Sequence, residues 1–464
     1  MTGAAPRRIT ARLTELLAGL DYGTLSPSAR HAAKRVFLDA TGVMLGASGI
    51  AREIDAFVSL ARTMGQGPCT ILGTDVSASP AMAALANGAM AHALDYEDAF
   101  DLAPGHPNAS LVPALLALAQ WRGGIDGQRM IAALVAGCEL ACRMSLALGR
   151  KMESGGWYPP PILAGYGAAL GAAHLLRLTS AQMSDALSLT LCQVTMPGEI
   201  KHSARTVIRA VREAFPGQAA VQSALLSRNG LAGFEEPLEG AGGFYALYAG
   251  GQFDPDVLLA PLDGPMWIEH LTFKPWPSCR GTHPFIQMAT ELRERHGFEP
   301  ADVAAARVGV GPMQRMLVEP MERKRAPAVA IDAKFSVPFC VAAVLAGRTV
   351  GLDAFSQQSL GDPDVLALAR RVDFEQPEGS EEWRGDAGSL TLDLVDGRTL
   401  EARLSQARGA PGDPLADHEL VEKFVDCAMR AAQPMTAKRA RTLAGRLLSL
   451  DECSDVGALF APGS

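Results

Sequence analysis

Long apolar runs are missing from this chain. No stretch approaches the ~20 apolar residues needed to cross a bilayer, and the most apolar one, SLVPALLALAQW, has the length of a core helix. A basic surplus is missing as well: the formal charge is -8, which argues against a general nucleic-acid binder. Aromatic residues make up only 6%. The eight cysteines include no pair at CxxC spacing, so neither a zinc ribbon nor a disulfide framework is indicated. Cys138 and Cys142 lie one helical turn apart in an apolar segment and read as buried free thiols, which suits a reducing cytoplasm. Residues 1–20 contain no uninterrupted apolar core before Arg12 and Glu15, so they read as an amphipathic helix rather than a signal peptide. There is no Walker A loop, no GxSxG elbow and no HExxH pair. The glycine-rich GAGGFYALYAGG lacks the leading strand of a dinucleotide loop. Whatever chemistry occurs is expected to use side chains alone, with no cofactor and no metal.

What is present is alanine, glycine and helical periodicity. The length of 464 residues suggests two domains, or one large domain carrying an inserted smaller one. Ser26–Pro27, Ser79–Pro80, Asp126 and Thr179 each read as a helix start. Gly165, Gly167 and Gly171 lower helicity but allow close helix contacts. Near residue 270 the pattern changes. FKPWPSCRGTHP is extended or looping, VAAARVGVGP alternates like a strand, and SLTLDLVDGRTLEARL reads as a hairpin turning at Asp396–Gly397. The expected fold is mainly α with an α+β lid. A large helical domain built from both chain ends, 1–269 and 406–464, encloses an α+β domain over 270–405.

Four segments could carry chemistry. HALDYEDAFDLAPGHPNAS places Asp95, Glu97, Asp98 and Asp101 with His92 and His106. If the preceding helix runs through Asp95, His92 and Asp95 share a face, and the prolines then set His106 on a loop suited to acid–base work. Spacing alone favours a solvated acidic loop, and a metal site ranks low. The second segment aligns Arg205, Arg209 and Arg212 at i, i+4 and i+7, with Lys201 and His202 upstream. Such a stripe either grips carboxylates or faces solvent paired with Glu199 or Glu213. The third, KPWPSCRGTHP, crowds Lys274, Cys279, Arg280, Thr282 and His283; a structural thiol and a structural histidine are the commoner outcomes. The fourth, GGWYPPP, offers Tyr158 as a packing residue or a pocket hydroxyl.

The stretches NGAMAHALDYEDAF, GHPNASLVPALLALA, FKPWPSCRGTHP, DAKFSVPFCVAAVLAGR and LADHELVEKF, in this order, resemble the MmgE/PrpD family, which contains dehydratases, decarboxylases and epimerases of polycarboxylates. The resemblance implies a helical domain, a smaller lid, a homodimer and no cofactor. It also matches the family's acidic residue to Asp95, its loop histidine to His106 and its lid-entry histidine to His283. The chain departs from the family pattern at Ala99, Tyr158, Arg212, Phe215 and Phe339. The expectation is a cofactor-independent lyase, most simply a dehydratase, that removes a proton beside a carboxylate of a small di- or tricarboxylic acid. His106 and His283 would transfer protons, and Asp95 would orient a histidine or act as base. Tyr158 would donate a proton or hydrogen bond, while Arg212, Lys201, Arg280 and Lys274 grip carboxylates. Isomerisation or epimerisation, decarboxylation, or an inactive carboxylate-binding relative are the alternatives. Neither nucleic acid nor membrane is an expected partner.

Overall fold

The computed structural model describes residues 8–103, 105–203 and 206–460. It is mainly helical with a small mixed sheet, as the pattern predicts. The first helices are α1 (Ile9–Ala18), α2 (Pro27–Ile50), α3 (Pro80–Ala93), α4 (Pro107–Arg122), α5 (Gly127–Leu146), α6 (Pro159–Leu175), α7 (Ser180–Leu191) and α8 (Ala214–Arg228). Their starts follow local chemistry. Ser26 accepts the Ala29 amide with Pro27 at the first helical position, Asp126 accepts that of Arg129, and Thr179 forms a capping box with Gln182. The chain then forms α9 (His283–His296), β1 (Val303–Gly309), α10 (Val337–Leu345), β2 (Val372–Glu375), β3 (Gly388–Leu394) and β4 (Thr399–Leu404), and closes with α11 (Asp417–Met429) and α12 (Ala437–Leu448).

The chain divides into two compact units. One comprises residues up to Ala93, Glu97–Leu271 and the segment from Ala416 onward; the other comprises Leu94–Tyr96 and Thr272–Leu415. In the helical unit α3, α4 and α6 are buried along almost their whole length. Glycines set how closely they approach: a side chain at Gly137 of α5 would meet the Gly167 carbonyl of α6 at 2.6 Å, and one at Gly167 would meet the Gly137 carbonyl at 2.5 Å. These two backbones therefore touch, which only glycine permits. Both chain ends belong to this unit. α11 packs on α2, where Lys423 Nζ lies 2.7 Å from Asp39 Oδ1, both buried. No described helix is long and apolar enough to cross a membrane.

In the other unit the sheet order is β2-β1-β3-β4. The predicted hairpin forms as β3 and β4, antiparallel with Leu392 opposite Leu400 and Gly397 at φ 89° in the turn. β3 alternates buried and half-buried residues, the signature of a sheet with one covered face. β2, parallel to β1, has four residues and no alternation, so the sequence pattern passes over it.

Candidate active site

The acidic stretch is not a solvated loop. His92, Asp95, Glu97 and Asp98 are each at most 1% exposed. α3 also stops at Ala93, and Asp95 adopts a left-handed φ of 51°, so His92 and Asp95 do not share a helical face. Asp is among the few residues that tolerate this conformation.

Within the helical unit, Glu97 collects two histidines. Its Oε1 accepts His92 Nδ1 and lies 3.0 Å from His106 Nδ1. The same His106 nitrogen is 2.9 Å from the Asp98 carbonyl. A nitrogen facing a carboxylate and a carbonyl must carry the proton, so Nε2 keeps the lone pair; this tautomer follows from its partners. His106 caps α4 ahead of Pro107, and its side chain retains 16% exposure where those of His92 and Glu97 have none. The loop is closed by the Phe100 amide on the Gly105 carbonyl at 3.0 Å. It is tied to α4 by Asn108 Nδ2 donating to Asp98 Oδ2 at 2.9 Å. The carboxylate that holds His106 is thus Glu97. His92, Glu97 and His106 are also close enough together to share a metal ion. The proton that His106 Nδ1 needs for its carbonyl contact occupies the lone pair an ion would use there, so the arrangement fits a hydrogen-bonded relay better.

Burial raises the Asp98 carboxyl to about 7, opposed by its bond from Asn108. A carboxyl raised on folding contributes stability that is complete below its unfolded value of 3.8 and lost as pH rises through about 7. The loss amounts to roughly 4 kcal/mol at about 1.4 kcal/mol per pH unit. Asp98→Asn, neutral throughout, is expected to match the parent near pH 4 and to exceed it at pH 8 in urea unfolding. Equal gaps at both pH values would contradict this origin.

A cationic cluster lies one turn along α4. Ser110 Oγ donates to Glu213 Oε2 at 2.6 Å, and Glu213 Oε1 accepts Arg212 Nε at 3.1 Å. Burial raises the Glu213 carboxyl, and Arg212 and Ser110 oppose the shift. Gly88 of α3 makes room for this turn: a side chain there would meet the Glu213 carbonyl at 2.6 Å. The expected continuous arginine stripe does not form. Arg205 lies outside the described residues, and Arg209 sits in a single turn, Ile208–Val211, which breaks before α8. Instead Lys201 Nζ, Arg209 and Arg212 stand 5.1, 6.0 and 5.1 Å from the ring centroid of Tyr158. The ring's negative face offsets their mutual repulsion. Tyr158, the residue before α6, thus contributes its ring face to the cluster. Arg212 is 1% exposed and is a buried partner of Glu213. Beside His106 lies a crevice of only about 10 Å³, lined by Phe100, Pro107, Cys142, Leu163 and Ala164 among others.

The remaining candidates belong to the other unit and are engaged there. Lys274 Nζ binds Asp95 Oδ1 and, at 3.0 Å, the Asp95 carbonyl; neither residue is more than 1% exposed. Arg280 donates to the carbonyls of Arg408 at 2.8 Å and Ala407 at 2.7 Å, and lies 3.5 Å from Asp386. His283 is fully buried, with Nε2 3.1 Å from the Ser278 carbonyl and Nδ1 3.3 Å from Arg280 Nη1. Burial, then the charges of Arg280 and Lys274, push its pKa well below the ordinary value. It is a neutral acceptor for Arg280, with both nitrogens occupied. In this structure His283, Lys274 and Arg280 thus make hydrogen bonds that hold this segment in place.

The sequence matches the MmgE/PrpD N-terminal domain over residues 11–256 and the MmgE/PrpD C-terminal domain over 276–447. The chain belongs to the MmgE/PrpD family. A cis-aconitate decarboxylase-like protein of Aspergillus oryzae is 23% identical over 99% of this chain and 98% of its own length. The cis-aconitate decarboxylase of Mus musculus is 25% identical over 97% of this chain and 92% of its own length. The 2-methylcitrate dehydratase of Cupriavidus necator is 26% identical over 76% of each. In this MmgE/PrpD chain the N-terminal family region carries the His92–Glu97–His106 relay and the Tyr158 cluster. Glu97, Ser110 and Glu213 were not singled out as site residues by sequence. His92 and Glu97 are five apart, a spacing no helix or strand periodicity marks, and Ser110 and Glu213 meet only through packing.

Proposed function

We propose that this chain is a lyase that transforms a small di- or tricarboxylate, with His106 Nε2 as the atom that moves the proton. The Glu97–His106 hydrogen bond carries the reading. It holds a carboxyl acceptor behind Nδ1 and leaves the Nε2 lone pair at the partly exposed edge of a buried polar cluster. Removing a proton beside a carboxylate builds enolate charge, which needs cations nearby. Lys201, with no acidic partner among the described residues, and Arg209 beside it are the groups assigned to the substrate carboxylates. Arg212, buried on Glu213, fixes the geometry of that cluster. The simplest reaction is dehydration: His106 takes the proton, the C–O bond breaks as the double bond forms, and the imidazolium returns the proton to the departing hydroxyl as water. It requires no cofactor.

Decarboxylation is the second reading, favoured by relatives named cis-aconitate decarboxylase that align along 97–99% of this chain. There the imidazolium protonates the carbanion left by carbon dioxide. Proton NMR in deuterated buffer separates the two, using 2-methylcitrate, citrate and cis-aconitate as candidates. Loss of water, loss of carbon dioxide, or deuterium uptake alone identifies dehydration, decarboxylation or epimerisation, and inertness toward every acid tried would defeat the lyase reading. His106→Gln is expected to abolish whichever turnover is found.

A further inference from the structure

A polar cavity lies within the helical unit, where α6 ends and α5 begins. It measures about 490 Å³, and Tyr22, Asp126, Gln128, Arg129, His174 and Arg177 line it with others. We propose that it binds a small hydroxycarboxylate, whose carboxylate sits on Arg129 and Arg177 and whose hydroxyl donates to His174 Nδ1.

Three independent features support this. First, the cations lack acidic partners: no ion pair among the described residues engages Arg129 or Arg177. Arg129 Nε is pinned on the Leu175 carbonyl at 2.5 Å, which directs the rest of the guanidinium elsewhere. Its pKa is lowered by burial and then by the charges of Arg177 and Arg122. The nearby carboxylates are committed to backbone amides, Asp126 to Arg129 at 2.8 Å and Asp21 to Thr24 at 3.0 Å. The Tyr22 hydroxyl is committed to Asp451 at 2.7 Å. Second, Arg177 occupies a glycine position. It follows the cap of α6 at φ 56°, in a turn closed by the Leu178 amide on the Ala173 carbonyl at 3.0 Å. A helix end of this kind favours glycine, and an arginine there holds its charge at the cost of backbone strain. Third, His174 donates Nε2–H to the Leu20 carbonyl at 2.8 Å, which leaves Nδ1 a bare acceptor, buried and without a partner. Basic groups at a helix C-terminus are favourable on their own. That effect accounts for neither a cavity nor an orphaned acceptor, whereas a ligand offering both an anion and a hydroxyl satisfies all three groups.

Isothermal titration of the full chain with citrate, tricarballylate and inorganic phosphate tests the assignment. Arg177→Gly removes the guanidinium and relaxes the backbone, so the fold is retained. The expected result is that this variant loses one bound citrate per chain, or binds it at least ten-fold more weakly, with turnover at saturating substrate unchanged. Tricarballylate, which lacks the hydroxyl, should bind at least five-fold more weakly than citrate at this site. Unaltered citrate binding in Arg177→Gly would overturn the site. Tricarballylate equal to citrate would overturn the role of His174, and phosphate binding as tightly as citrate would overturn the carboxylate. The measurement does not involve His106, so it stands or falls separately from the lyase reading.

Discussion

Replacing Glu97 with glutamine is expected to lower turnover by roughly two to four orders of magnitude, with little change in KM. Losses of this size follow when the acceptor behind a catalytic imidazole is neutralised. Glu97 has no exposed surface, so it does not meet substrate directly. In the proposed reaction its work is to hold the proton on His106 Nδ1 and to stabilise the imidazolium that forms once Nε2 has taken a proton. A glutamine amide can turn its NH2 toward the ring, which favours the tautomer with Nδ1 unprotonated and removes the base from Nε2. The charge that offsets the imidazolium disappears as well. Because the effect falls on the reacting group, kcat and kcat/KM should decline together. Glu97→Asp, which keeps the charge on a shorter arm, should recover part of the rate. Steady-state kinetics on the acid identified by NMR checks this. Turnover within three-fold of the parent in a folded Glu97→Gln variant would show that the Glu97 contact is not part of the chemistry.

Lys274→Met is expected to destabilise the chain by about 3–5 kcal/mol, the usual cost of removing one partner from a buried ion pair. Lys274 is completely buried, and its ammonium binds both the carboxylate and the carbonyl of Asp95. The substitution preserves volume but removes the cation against which that carboxylate is buried. Much of the loss is therefore the penalty on Asp95 and should be reversible. Asp95→Asn in the same chain removes the charge and still suits the left-handed backbone at φ 51°. Urea unfolding of the single and double variants should show the double variant recovering a large part of the loss. A Lys274→Met chain as stable as the parent would mean that the pair contributes nothing.

Much of the architecture was legible in residue order because its causes are local. Ser26, Asp126 and Thr179 start helices through bonds to amides three residues on, and Asp396–Gly397 turns a hairpin between alternating runs. Family membership was likewise readable, since it rests on ordered stretches along nearly the whole chain. β2 was missed because four residues beside a parallel neighbour need not alternate.

The site behaved differently. Sequence determined that carboxylates, histidines and arginines would be concentrated in a few segments, and that His106 would sit on a loop ahead of a helix. Only the tertiary structure decided which of them meet: Glu97 with His106, Ser110 with Glu213, and three cations with the ring of Tyr158. It also decided the partners that His283 finds in Ser278 and Arg280, and Lys274 in Asp95. The reason is physical. A helix start depends on atoms a few residues apart, whereas the partner and hydration of a charged side chain depend on packing between segments distant in sequence. For buried groups, those two quantities decide whether a residue reacts or holds the fold together.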